Sequence, residues 1–426
     1  MLTKVSPSMN VHTRTNDVSS RTAKNAWRWR DRIAKTFLLR SLQYLQVGQI
    51  RWVDASGECL LGRVTSEFPV PISVRVHDPR FYTNLVLGSS IAAGETFMDG
   101  TWSCDDLTVL MQITMRNPRI FEGMDGLWSM LARSLHRVQH LMRGNTQANS
   151  RRNIAEHYDL GNSFYRLFLD DTMMYSSGIF QTPETPLEQA SIEKLERVCK
   201  RLRLTPNDTL IEIGTGWGAM ALHAAREFGC SVVTTTISER QKEMSEQRIR
   251  DAGMTERVQV LSRDYRDLQG QFDKLISIEM IESVGHEYLD SFFTTCSRLL
   301  KPDGSMLLQA IVIGDQQYDR YRRSADFIQR YIFPGGCLPS VARICDCVAR
   351  KTDLRVIHLE DFAADYAMTL THWRKRFLAN LDSVRRLGYS EEFIRMWEYY
   401  LCYCEAGFRE RSIGLVQIVL AKPGYR

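Results

Sequence analysis

The chain has 426 residues, 44% of them hydrophobic and 25% charged, which excludes wholesale disorder and leaves room for several domains of roughly 100–200 residues each. No window approaches the ~18 consecutive apolar residues of a membrane span, and the polar stretch Met1 to Ser20 lacks the apolar core of a secretory leader. The net charge is only +5, yet residues 1–40 carry nine basic side chains against two acids, Asp17 and Asp31.

Residues 1–25 read as a basic, disordered arm. Helical spacing follows from Ala26 to Tyr44, with Trp29, Ile33 and Phe37 on one face and Arg28, Arg32 and Lys35 on another. Such a helix suits a lipid interface, but the default expectation is that its apolar stripe covers the protein's own core. Short strands fit Gln49–Val53 and Val74–His77, and helices fit Leu107–Met115 and Leu127–Leu141. Arg133, Arg137, Arg143, Arg151 and Arg152 make a second basic stretch without an acid. Two basic patches on a near-neutral body suit an anionic surface, either phospholipid or nucleic acid. The polar run Arg143–Arg152 reads as a linker, which bounds an N-terminal α+β domain over 26–142.

Beyond the linker, apolar strands alternate with helices. Strands fit Thr209–Ile213, Ser231–Ile237, Val258–Leu261, Lys274–Ile278 and Ser305–Ile313; helices fit Leu187–Leu202, Ala219–Phe228 and Glu239–Asp251. This is the pattern of an α/β fold, a mostly parallel sheet with helices on both faces. Ten cysteines approach one another no closer than C-x-C and match no zinc spacing, so no metal site is expected and the thiols read as free and buried in a reducing cytoplasm.

The segment Glu212-Ile-Gly-Thr-Gly-Trp-Gly218 ends a strand and opens a helix, so Gly214, Gly216 and Gly218 let a ligand approach unpaired backbone N–H groups. Its G-x-G-x-G spacing is not the dinucleotide fingerprint. Thr234-Thr-Thr-Ile-Ser238 also stands where a nicotinamide enzyme needs an acid. The E-x-G-x-G-x-G pattern instead resembles motif I of class I S-adenosylmethionine methyltransferases, with Glu212 as its acid.

Five further blocks are more specific: His157-Tyr-Asp-Leu-Gly-Asn-Ser-Phe-Tyr165, Met174-Tyr-Ser-Ser-Gly-Ile-Phe180, Thr236-Ile-Ser-Glu-Arg-Gln241, Gln329-Arg-Tyr-Ile-Phe-Pro-Gly-Gly-Cys-Leu-Pro-Ser340 and Glu398-Tyr-Tyr-Leu-Cys-Tyr-Cys-Glu-Ala-Gly-Phe-Arg409. In this order, from about Asn153 to Val419, they resemble the cyclopropane-fatty-acyl-phospholipid synthase family. The resemblance implies a Rossmann-like class I methyltransferase domain over 153–426, and a smaller N-terminal domain used for lipid binding and for forming a homodimer. It implies S-adenosylmethionine as cofactor, held by Tyr175, Ser176, Glu212, Gly214, Gly216, Gly218, Thr236, Ile237 and Gln241, with Tyr265 and Arg266 flanking the adenine. It implies transfer of a methyl group to the double bond of an unsaturated phospholipid acyl chain at the membrane surface, by a cytoplasmic enzyme peripheral to the inner face. The intermediate cation then loses a proton to a base, which in relatives is a bicarbonate ion in a polar cage.

On the same resemblance, Glu282 is the cage carboxylate, Tyr331 the cage tyrosine and Ile311 a backbone contact. Cys404 matches a cysteine often called the active-site residue; here a thiol lining the acyl tunnel fits better, because an alkene needs no enzyme nucleophile. Tyr399, Tyr400, Tyr403 and Phe408 are candidates for the same tunnel, although their helical spacing suits plain core packing at least as well. Two positions depart from the pattern: Ser177 stands for cysteine and Gln309 for histidine. Both still offer hydrogen bonds to an anion, but the titrating imidazole is gone. A cyclopropane ring is the leading product, with methyl-branched, methylene-bearing or desaturated chains as alternatives. A small-molecule N-methyltransferase and a non-catalytic binding protein are the other readings. A nucleic-acid substrate is not expected, since the basic residues cluster outside the glycine-loop domain.

Overall fold

The computed structural model describes residues 27–88, 90–118, 120 and 160–426. The arm, the helix expected at 127–141, the linker and its boundary, and His157 to Asp159 lie outside the described residues. Near the N-terminus, strands β1 (Gly48–Asp54) and β2 (Gly57–Arg63) form an antiparallel hairpin with Asp54 opposite Gly57. Strand β3 (Ile72–Val76) runs parallel to β1, and β4 (Trp102–Cys104) closes the four-stranded order β2-β1-β3-β4. Helices α1 (Trp29–Leu42), α2 (Arg80–Leu87), α3 (Ser90–Met98) and α4 (Leu107–Arg116) accompany this sheet, and Trp52, Val74, Phe81 and Trp102 are buried with them.

Helix α1 corrects the expectation of core cover. It buries Ala34, Leu38 and Leu42, whereas Trp29, Ile33 and Phe37 are 68%, 61% and 43% exposed. The helix thus has two apolar stripes, and the one bearing the tryptophan faces out. Among the described residues, no helix is long and apolar enough to cross a membrane. All ten cysteines are free thiols.

The larger sheet has the order β10-β11-β9-β8-β5-β6-β7. Its centre is β5 (Thr209–Ile213), β6 (Ser231–Thr236), β7 (Val258–Ser262), β8 (Phe272–Ile278) and β9 (Leu300–Ile313), paired in parallel. These strands read as nearly continuous apolar runs because helices cover both faces: α5 (Leu187–Arg201), α6 (Ala219–Phe228), α7 (Glu239–Asp251), α8 (Leu289–Leu299) and α9 (Val341–Lys351). Strands β10 (Arg355–Asp361) and β11 (Ile413–Ala421), absent from the sequence expectation, add an antiparallel edge. The chain order reverses at β5, so a crevice opens beyond the carboxyl ends of β5 and β8, where such sheets bind ligands.

Two long helices, α10 (Ala363–Ala379) and α11 (Glu391–Arg409), pack on each other beside that crevice, and α11 also packs against α3 and α4. Glycine is required at Gly94, where an added Cβ would lie 2.4 Å from the Phe327 ring. Glu405, 1% exposed, ties three helices together. It accepts from Arg374 Nε at 2.8 Å, Thr371 Oγ1 at 3.0 Å, Thr108 Oγ1 at 3.4 Å and its own-helix neighbour Arg409 Nε at 3.1 Å. Replacing it strands a half-buried guanidinium, so Glu405→Ala should lower unfolding free energy by about 3 kcal/mol, read as an earlier urea midpoint in tryptophan fluorescence.

Candidate active site

The crevice is lined by Tyr175 and Ser176, by Glu212 to Trp217, by Thr235 to Ile237 with Gln241, by Arg263 to Arg266, and by Ile278 to Met280. The structure therefore brings together the residues expected to hold the cofactor, apart from Gly218, which starts α6 behind the loop. Gly214, Gly216 and Gly218 have φ of +100°, +52° and +85°, a region glycine enters without penalty. At Gly216 an added Cβ would meet nothing within 4 Å, whereas at Gly218 it would press on Ser245 at 3.2 Å. Gly216 thus faces the open crevice and Gly218 serves helix packing.

The loop is anchored from β6, where the Thr235 carbonyl accepts from the Gly214 and Thr215 N–H groups at 3.1 and 3.0 Å. Thr236 Oγ1 donates to Gln241 Oε1 at 2.9 Å, holding that amide at the end of β6. Asp264 takes a fork of bonds from Arg266 at 2.8 and 2.7 Å, which orders the turn carrying Tyr265. Two buried hydroxyls, Thr215 Oγ1 and Tyr265 Oη, have no hydrogen-bond partner among the described residues. Glu212 accepts from Thr234 Oγ1 at 2.6 Å, and burial pushes its carboxyl up to about 7. The wholly buried Lys194 donates to Ser176 Oγ at 2.8 Å, and burial lowers its ammonium to about 8.

At the carboxyl end of β8 stand two half-buried acids, Glu279 and Glu282. Glu282 Oε1 accepts from the Ile311 N–H at 2.5 Å, so two residues expected to contact an anion contact each other, while Glu282 Oε2 is buried without a partner among the described residues. Burial, and then the neighbouring Glu279 charge, pushes Glu282 up to about 8. Glu279, to which the sequence reading gave no role, is the better-satisfied acid. Its Oε1 accepts from Gln309 Nε2 at 2.7 Å and the Ser177 N–H at 3.0 Å, and its Oε2 from Tyr366 Oη at 2.6 Å. Gln417 Nε2 donates to Gln309 Oε1 at 2.9 Å, which turns the Gln309 amino group toward Glu279. The Ser177 hydroxyl donates to the Gly178 carbonyl at 2.8 Å, so Ser177 reaches the carboxylate by backbone alone.

The tyrosine assignment is corrected. Tyr331 lies in a short π-helix, Ile328–Ile332, and donates to Glu95 Oε1 of α3 at 2.6 Å. It joins the N-terminal unit to the larger one, with Arg330 on the same Glu95 oxygen at 3.1 Å. The phenol on Glu279 is Tyr366 of α10, which no motif singled out. For Glu279 a signal did exist: an acid immediately after an apolar parallel strand sits where the sheet binds ligands.

Helix α11 divides the four aromatic candidates by spacing. Tyr399 and Tyr403 stack on each other at 6.3 Å, and Tyr399 packs on Phe97 at 5.9 Å, facing the N-terminal unit. Tyr400, Cys404 and Phe408 form the opposite stripe: Tyr400 Oη is 2.8 Å from Tyr175 Oη, and Phe408 stacks on Tyr366 at 4.4 Å. Burial raises the Cys404 thiol far above its ordinary value, so it is neutral and no nucleophile. Tyr175 is surrounded by Tyr165, Trp373 and Phe333 at 5.2, 5.2 and 6.4 Å.

Comparison with known proteins agrees with this geometry. The profile of the mycolic acid cyclopropane synthetase family matches residues 145–418. The cyclopropane-fatty-acyl-phospholipid synthase of Escherichia coli (strain K12) is 36% identical over 385 residues, covering 89% of this chain and 96% of its own. The tuberculostearic acid methyltransferase UfaA1 of Mycobacterium tuberculosis is 36% identical over 348 residues, covering 78% and 79%. Among solved structures, the mycolic acid cyclopropane synthase CmaA1, complexed with SAH and CTAB, superposes with a TM-score of 0.60 at 31% identity, covering 64% of this chain and 98% of its own. The chain belongs to the mycolic acid cyclopropane synthetase family, enzymes built on the class I S-adenosylmethionine methyltransferase fold.

Proposed function

We propose that the crevice takes S-adenosylmethionine and that the enzyme methylates the double bond of an unsaturated phospholipid acyl chain. The observation that carries this reading is the half-buried acid pair at the end of β8, set between the glycine loop and a wall of aromatic rings. The residues present fit the cofactor: an open cradle at Gly216 and two hydroxyls without partners among the described residues, Thr215 Oγ1 and Tyr265 Oη, await polar groups of a ligand. When bound, S-adenosylmethionine supplies a methyl group made electrophilic by positively charged sulfur.

The chain's residues then have distinct tasks. Gly214 and Gly216 let the backbone approach the ligand, Thr236, Ile237 and Gln241 line the end of β6, and Tyr265 and Arg266 border the far side. An alkene is a weak nucleophile and its attack leaves a carbocation, so water has to be excluded. Tyr175, Trp373, Tyr400 and Phe333 provide both the dry wall and the ring faces that attract positive charge. Cys404 lines this wall as a neutral thiol. The Escherichia coli relative supports a cyclopropane product. The tuberculostearic acid methyltransferase supports a second one: loss of a chain proton leaves a methyl branch beside a double bond, and a 1,2-hydride shift before proton loss leaves a methylene group, whereas a saturated branch needs a separate reductant.

The substrate lies in a bilayer, and α1 offers the contact. Trp29, Ile33 and Phe37 project beside Arg28, Arg30 and Arg32 on an exposed helix, a combination suited to anionic lipid. Incubating the protein with S-adenosylmethionine and vesicles of monounsaturated phospholipid should add 14 Da to the acyl chain, while saturated vesicles give nothing; fragmentation separates ring from branch. Methylation of a small amine without acyl methylation would replace this reading with the N-methyltransferase one. The double variant Trp29→Ser/Ile33→Ser should weaken sedimentation with anionic vesicles about tenfold or more, and added salt should weaken wild-type binding further. Unchanged binding would remove α1 from the membrane contact.

A further inference from the structure

The three groups that converge on Glu279 constitute an anion cage already filled by a side chain. Ser177 N–H, Gln309 Nε2 and Tyr366 Oη come from three separate segments and point at one carboxylate, using both of its oxygens. A bicarbonate ion would require those same donors, so it does not fit while Glu279 is in place. The backbone carries a cost to put it there: Glu279 has φ of +48°, a left-handed conformation unusual for a residue with a side chain. Its N–H is fixed by the Gln309 carbonyl at 2.8 Å, so one residue of β9 holds both the backbone and the carboxylate of Glu279.

We propose that Glu279 is the base of the reaction, replacing an exchangeable anion with a carboxylate built into the chain. The assignment rests on the acyl-methylation reading above. In the first step the alkene π pair forms a bond to the methyl carbon, and the carbon–sulfur bond breaks with its pair going to sulfur. A cation is left on the neighbouring chain carbon. Glu279 then takes one proton. If it comes from the new methyl group, the C–H pair closes the ring onto the cationic carbon; if it comes from a chain carbon next to the cation, that pair becomes a double bond. Either way one proton ends on Glu279, and charge is balanced. Glu279 also lines the crevice together with Tyr175 and the glycine loop. Gln309 does here what an amide does well: it donates to a carboxylate and does not itself titrate.

The test measures acyl methylation by the full-length protein in carbonate-free buffer, with and without added bicarbonate. Wild type should turn over equally in both. Glu279→Gln should lose about a hundredfold or more of its rate and gain nothing from bicarbonate, because the amide still occupies the cage. Glu279→Gly empties the cage and suits the positive φ; its activity should be low and rise severalfold with bicarbonate, and its melting temperature should rise with bicarbonate while that of wild type does not. S-adenosylmethionine binding by both variants, measured by calorimetry, checks that the crevice is intact. Severalfold stimulation of wild type by bicarbonate, or a Glu279→Gln rate equal to wild type, would overturn the assignment of Glu279 alone. A wild type that methylates no unsaturated phospholipid would overturn the lipid reading itself, and with it the step assigned to Glu279.

Discussion

Two carboxylates held close together away from bulk water repel each other and cost solvation energy, and the rest of the site is arranged around that problem. Glu279 and Glu282 are three residues apart at one strand end, and their surroundings separate them. Glu279 has three donors; Glu282 has one backbone N–H and an oxygen without a partner among the described residues. Burial raises both carboxyls; on Glu279 the three donors oppose that rise, while on Glu282 burial and the Glu279 charge push it up to about 8. Lys194, buried near Glu279, Asp170 and Glu212, offsets part of the negative charge.

The positioning of this pair depends on the sheet. Parallel pairing of β8 with β9 brings Gln309 alongside Ile278, and the antiparallel strand β11 brings Gln417 opposite Gln309. Thus the donor set for Glu279 is a consequence of strand register, with α10 contributing the phenol from above. A slip of one residue in β9 would turn Gln309 to the other face of the sheet and remove two contacts to Glu279 together.

Much of the fold was legible because strand and helix periods differ, and apolar runs bounded by glycine mark parallel strands. The crevice was legible for the same reason: E-x-G-x-G-x-G follows β5 directly. What could not be read was which face of an amphipathic segment meets water. Helix α1 has apolar residues on two stripes, and only packing decides that Leu38 goes in and Trp29 out. The phenol on Glu279 was equally hidden. Tyr366 lies 87 residues from Glu279 in sequence, and its neighbourhood on α10 carries no distinctive spacing, whereas Tyr331 sits in a conspicuous block. Strands β10 and β11 escaped because their pairing is entirely long-range.

Helix α11 carries two aromatic stripes within one continuous core: Tyr399 and Tyr403 toward the N-terminal unit, and Tyr400, Cys404 and Phe408 toward Tyr175 and Tyr366. A rigid rod cannot yield on one side without shifting the other. If the lipid contact proposed for α1 is made, a load on the small sheet and its helices would pass through α11, which packs on α3 and α4, to the rings around Tyr175 and Tyr366.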